Sequence, residues 1–366
     1  MQTTNVIKNY TVSILPKAKN ISKYKKIVAS FFVVFLICCI IIKPNICINS
    51  VYSGLAVWAK CVLPSLLPFM FFTKLLTNLN FISKLTSKFY KINSVLFKAP
   101  KISSYIFLMS IISGYPVGAK MISEYHKMGL ITTKQSNKLS TFCSTSGPLF
   151  IIGSVGTAML KDVKLGYILF ISHLLGSILN GILFRNFFVE NLKNDSNIEL
   201  KCDKNFEKLL KNNQKNTKIL QKNDSFNQNL LASSMKDSIL SVLIVGGWIA
   251  IAFLVIDIFN ELNLFYPINS LLEIIGLKNG ISNALTSGIF EVNKGCLMLS
   301  NLNVSKTIIA TLASFLIGFG GICVFLQATS FLKEANVNFK FYIMQKISHG
   351  ILSAVICFLI CLAFKL

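Results

Sequence analysis

The stretch SGYPVGAK, residues 113–120, interrupts an apolar run that is otherwise long enough to cross a bilayer. Gly114, Pro116 and Gly118 break the i→i−4 hydrogen-bond ladder of a helix. Lys120 then places a charge at a cost of ~2.5–3.5 kcal/mol at the bilayer centre, so it is expected to face a cavity or a partner. Glu124, one turn on, is a candidate partner. A second stretch, SGIFEVNK at 287–294, again runs Ser-Gly, five residues, then lysine. There Glu291 lies three residues before Lys294, at the spacing of an internal ion pair on one helical face.

The rest of the chain fits a membrane context. Of its 366 residues 53% are hydrophobic and only 14% charged, against about 25% in a typical globular domain. The mean hydropathy is +0.62. The net charge of +23 raises the question of nucleic acid, but the lysines gather in short loops and tails between apolar segments. No basic helix or ribbon is available to enter a groove, so the positive-inside rule accounts for the charge and no nucleic-acid partner is expected. The ten cysteines include no C-x-x-C pair, and eight lie in apolar stretches, where they read as small core hydrophobes. Neither a metal site nor a cofactor site is expected.

Apolar segments fall at 27–42, 51–79, 102–122, 139–160, 165–184, 238–260, 268–300, 307–332 and 341–364. The division expected from them is a basic cytoplasmic tail (1–26), a first span and loop (27–50), a first membrane repeat (51–185), a polar linker (186–237) and a second membrane repeat (238–366). The linker holds seven of the fourteen acidic residues, with a short amphipathic helix expected near FEKLLKN, 206–212. The two repeats share a register. Gly114, Lys120, Gly147 and His173 are spaced 6, 27 and 26, and Gly288, Lys294, Gly320 and His349 are spaced 6, 26 and 29. Both histidines end the tripeptide ISH. This predicts an all-α polytopic protein of two homologous four-segment repeats with broken or re-entrant helices, preceded by one extra span. Placing the tail, loop 80–101 and the linker on one side requires 139–160 to enter and leave on the same side. That makes the second repeat inverted.

The breaks supply the candidate substrate-binding residues. Freed amides and half-helix ends at Ser113, Gly114 and Tyr115 suit an anion, and Lys120 adds a positive charge. Around the second break, Ser144, Thr145, Ser146 and Gly147 offer hydroxyls and amides as a neutral cradle. Lys294 and Glu291 are expected to contribute from the other repeat. His173 and His349 read first as hydrogen-bonded structural histidines, and second as a proton relay. No H-E-x-x-H, G-x-S-x-G or P-loop motif occurs, so no catalytic residue and no enzymatic activity are expected.

The same residues carry a family resemblance. LPSLLPFMFF (63–72), SGYPVGAK, STSGPLFIIGSVG (144–156), GIFEVNKG (288–295) and GFGGICVFLQATSFL (318–332) are similar to motifs of the YlbJ/SpoVV sporulation integral membrane proteins. These belong to the broader nucleoside-recognition, or gate-domain, superfamily, and the resemblance covers about 51–364. It implies a non-enzymatic role in endospore formation: moving dipicolinate, a small planar dianion, from the mother cell across the outer forespore membrane. The other readings are a nucleoside or ion gate, and a membrane scaffold that transports nothing. The partners implied are the lipid bilayer and a small-molecule anion; an oligomer is compatible with the sequence.

Charge patterning yields a topology test. Single cysteines at positions 90 and 210, on a background without native cysteines, are expected to react with an impermeant thiol reagent from the same side. Labelling from opposite sides would remove the re-entrant assignment.

Overall fold

The computed structural model describes residues 18–78, 90–188 and 224–365. The expected helix near 206–212, much of the linker and the first part of the basic tail lie outside the described residues. The chain divides into two units, Met1–Asn49 and Ser50–Leu366. The first contains α1 (Ala18–Ile42), whose apolar part is Lys26–Ile42.

Every described element is helical. Helix α2 (Pro44–Val57) continues through a π-turn at Trp58–Val62 into α3 (Leu63–Asn78), so this span begins before residue 51, where hydropathy alone placed it. Two short helices, α4 (Tyr90–Phe97) and α5 (Ser103–Ser113), lead to the first break, after which α6 (Val117–Lys127) resumes. Helix α7 (Thr133–Ser140) starts with a capping box between Thr132 and Gln135. An irregular stretch follows, then the π-wound α8 (Leu149–Met159) and the long α9 (Val163–Leu183). The second half begins with α10 (Asp224–Glu261), which starts inside the stretch read as linker. It continues with α11 (Tyr266–Ile274), α12 (Ile281–Phe290), α13 (Val292–Ser300), α14 (Lys306–Phe319), α15 (Gly321–Leu332) and α16 (Phe339–Ala363). Each half therefore runs in the same order: a long span, a broken pair, a second broken pair, a long span.

Among the described residues five stretches are long and apolar enough to cross a membrane: Pro44–Leu75, Val163–Leu183, Leu231–Glu261, Lys306–Leu332 and Phe339–Ala363. The long helices are polar towards the protein and apolar towards the outside. On α9, Tyr167, Ile171, Leu175, Leu179 and Leu183 recur every four residues and are exposed, while His173, Ser177 and Asn180 are buried. On α16, Ile347, Ile351 and Val355 are exposed while Gln345, Lys346, His349 and Ser353 are buried. A helix in water would show the reverse. Lipid in place of water makes the outer stripe favourable, and the chain is an integral membrane protein.

Where hydrocarbon surrounds the protein, close packing replaces the hydrophobic effect between helices. A Cβ on Gly318 of α14 would lie 2.8 Å from Gly350 Cα on α16. One on Gly176 of α9 would lie 3.1 Å from the Ser353 backbone. At one end of the bundle, Asp162 caps α9 through the amides of Lys164 and Leu165 and pairs with Lys306 at 2.8 Å. Lys306, with the help of those amides, holds the Asp162 carboxyl below the usual carboxylate range.

Gly176→Val is therefore expected to destabilise the protein by ~1–3 kcal/mol through overpacking against α16. Gly247→Ala, where an added Cβ meets nothing within 4 Å, is expected to be neutral or slightly stabilising. Thermal unfolding in detergent distinguishes the two.

Candidate functional site

Between α7 and α8 the backbone of 141–148 leaves the helical ladder while buried. Irregular backbone at membrane depth must find its partners in protein. Here four successive carbonyls each accept from a side chain. Asn180 Nδ2 donates to Thr141 O at 2.7 Å, and Ser177 Oγ to Phe142 O at 3.0 Å. Ser110 Oγ donates to Cys143 O at 2.6 Å, and Lys346 Nζ to Ser144 O at 3.1 Å. On the donor side, Ser146 N–H donates to His173 Nε2 at 2.9 Å, and Thr145 N–H to Ser110 Oγ at 3.3 Å. His173, Ser177 and Asn180 supply these bonds at i, i+4 and i+7, so one face of α9 is committed to holding the stretch.

The first break sits against it. Gly114 ends α5 at φ +70, and the Tyr115–Pro116 peptide is cis. A Cβ at Gly114 would lie 2.6 Å from Gly147 N, and one on Gly118 would collide with the Cys143 carbonyl. The two breaks meet backbone to backbone. In the second half, Glu291 is the extended N-cap of α13, accepting from the amide (3.1 Å) and side chain (2.6 Å) of Asn293. Gly320, at φ +91, separates α14 from α15, whose first residue Gly321 is itself at φ +72. A Cβ on Gly321 would lie 3.4 Å from the carbonyls of Gly288 and Phe290.

All four breaks border one cavity of about 70 Å³. Ser113, Gly114 and Tyr115 come from the first, Ser146 and Gly147 from the second, Glu291, Val292 and Asn293 from the third, and Gly320 from the fourth. Leu66, Met70, Phe150 and Trp248 make the wall largely apolar. A second cavity of about 700 Å³ shares Met70, Ser113, Val245, Trp248 and Gln327 with it and carries Lys74, Lys120 and Glu124.

The structure thus gathers Ser113, Gly114, Tyr115, Ser146, Gly147 and Glu291 around the inner cavity, and leaves other expected residues elsewhere. Lys120 lies in the outer cavity, 51% exposed and 3.8 Å from Glu124. Ser144 and Thr145 are not free to cradle a ligand. The Ser144 hydroxyl pairs with Tyr342 OH at 2.7 Å and that of Thr145 with Ser110 Oγ at 2.9 Å. Lys294 does not pair with Glu291, because a residue in an N-cap conformation turns its side chain back over the first turn. Lys294 instead pairs with Asp257 of α10 and lies over the Phe253 ring, 4.7 Å from its centroid.

Two features had no expectation attached. Lys346 is 2% exposed and donates to Tyr115 OH as well as to Ser144 O. Asn180 and Gln345 join α9 to α16 at 3.1 Å. The histidines of the two ISH tripeptides meet, with ring centroids 4.7 Å apart, and His349 Nε2 donates to the His173 carbonyl at 3.1 Å. Because His173 Nε2 accepts from an amide, its hydrogen is assigned to Nδ1, which is buried and unpartnered.

Asp257→Ala would leave Lys294, with 11% of its side chain exposed, without its counter-charge. Removing one partner of a buried pair costs ~3–5 kcal/mol; with Asp257 itself 29% exposed the expected loss is ~2–3 kcal/mol. Pairing it with Lys294→Met is expected to recover most of that loss in thermal unfolding.

No family model matches the chain, and no solved structure matches it. Among curated proteins, the sporulation integral membrane protein YlbJ of Bacillus subtilis (strain 168) is 26% identical over 352 residues. The alignment covers 93% of this chain and 84% of that relative. The likeness runs across both halves and all four breaks, and it is to a sporulation integral membrane protein.

Proposed function

We propose that the protein is a sporulation membrane transporter, or facilitator, for a small anion, with dipicolinate the leading substrate, and that the anion crosses between its two halves. The observation that carries this reading is the convergence of four helix breaks on one cavity. A scaffold has no need of interrupted helices, whose backbone must be satisfied at a cost in buried side chains, whereas transporters place substrates at such interruptions. Superposable, inverted halves belong to the same reading. The inner cavity alone is smaller than the ~300 Å³ at which ligand pockets begin, and joined to the outer one it falls within their usual range. Tyr115 and Phe150 give it flat aromatic walls suited to a planar acid.

Lys120 serves in this reading as an entry charge at the outer cavity. A half-exposed lysine attracts an anion from water, and salt screens that attraction. A nucleoside gate is the second reading, supported by the amides of Asn293 and Gln327 in the inner wall.

Proteoliposomes separate these accounts. Flux of pyridine-2,6-dicarboxylate that nucleosides do not inhibit is expected. Inhibition by nucleosides would favour the gate, and no flux of either would leave the scaffold. Val324 lines the inner cavity, and Val324→Trp, whose indole would occupy it, is expected to lower flux at least tenfold. Lys120→Met is expected to lower it a few-fold at low salt and little at high salt, with Lys98→Met unchanged.

A further inference from the structure

We infer that Lys346 is the residue that binds the carboxylate of the transported anion, and that Tyr115 is its resting partner, displaced as the anion enters. This rests on the transport reading and assigns the anion's charge partner to a residue other than Lys120 or Lys294. Three observations lead to it. First, Lys346 is buried, and among the described residues no carboxylate lies within ion-pair distance of it. Its acceptors, Tyr115 OH and Ser144 O, are neutral, and its ammonium lies over the face of the Tyr115 ring, 4.7 Å from the centroid. A buried ammonium without a counter-charge is costly, and an arriving carboxylate supplies what is missing.

Second, Lys346 stands directly behind the cavity wall. Tyr115 and Gly320 both line the inner cavity. A Cβ on Gly320 would lie 3.4 Å from Tyr115 OH and 3.7 Å from Lys346 Cε. The wall in front of the ammonium is thus a glycine without a side chain and a tyrosine that can swing on its single bonds. Third, the other cations are engaged or remote: Lys294 has Asp257, and Lys120 has Glu124 in the outer cavity. Glu291, also in the cavity wall, is bonded to the Asn293 amides at the start of α13 and not to Lys346, so it does not supply the missing counter-charge.

Two probes of one shape test this: pyridine-2,6-dicarboxylate and the uncharged pyridine-2,6-dicarboxamide, each measured by calorimetry on protein in nanodiscs. Lys346→Met is expected to weaken the dicarboxylate at least ~30-fold and leave the diamide within about threefold. Tyr115→Phe keeps the cation and removes its internal competitor, so dicarboxylate binding is expected to tighten or hold. If Lys346 is only a strut, both variants weaken acid and diamide alike, and that result overturns the assignment. So does unchanged dicarboxylate binding in Lys346→Met. Should Lys346→Met fail to fold, Tyr115→Phe decides between the same two outcomes. Wild-type dicarboxylate flux that survives Lys346→Met sinks this inference and spares the transport reading. Absence of flux and binding in the wild type removes both.

Discussion

A short length of buried backbone without a helix governs this molecule. Residues 141–146 present four carbonyls and two amides that cannot reach water, and each finds a side chain. Leaving one such group unsatisfied costs ~1–3 kcal/mol, so the stretch is stable only while α5, α9 and α16 stand around it in register. This is why the long helices are polar inside. Their inner faces bond an irregular segment from another part of the chain, and their outer faces are given over to hydrocarbon.

The same constraint explains how the halves hold together. Among the described residues three ion pairs cross between them, Lys74 with Asp237, Asp162 with Lys306 and Lys127 with Glu334; all their members but Asp162 are exposed, where ion pairs contribute little. The firmer links are neutral and buried: Asn180 to Gln345, the Ser144 and Tyr342 hydroxyls, and His349 to the backbone of His173. Contacts of this kind are directional, so a shift of α16 against α9 must exchange several bonds together.

Sequence alone disclosed the breaks because glycine and proline act locally. Gly114, Pro116, Gly147 and Gly320 stand where the helices stop, and that is a property of a few neighbouring residues. The register of the two ISH tripeptides was also legible, and the two histidines do meet. Pairing across the fold was not. Asp257 lies 37 residues before Lys294, in a different span, and only tertiary structure brings them together. Lys346 is the instructive case. A lysine inside the apolar run 341–364 bears the same argument that singles out Lys120. Ser144 and Thr145 misled for another reason: composition shows hydroxyls, while only geometry shows that the protein already uses them.

Trp248 has a consequence of an optical kind. It lies in the wall shared by both cavities, while the protein's other tryptophan, Trp58, is anchored by a hydrogen bond to the Val242 carbonyl and packed against Gly246. One indole faces the cavities and its sibling is fixed in the helix packing. The chain thus contains a native fluorophore in the wall common to both cavities together with an internal reference, and filling or widening of those cavities can be followed by emission without any label.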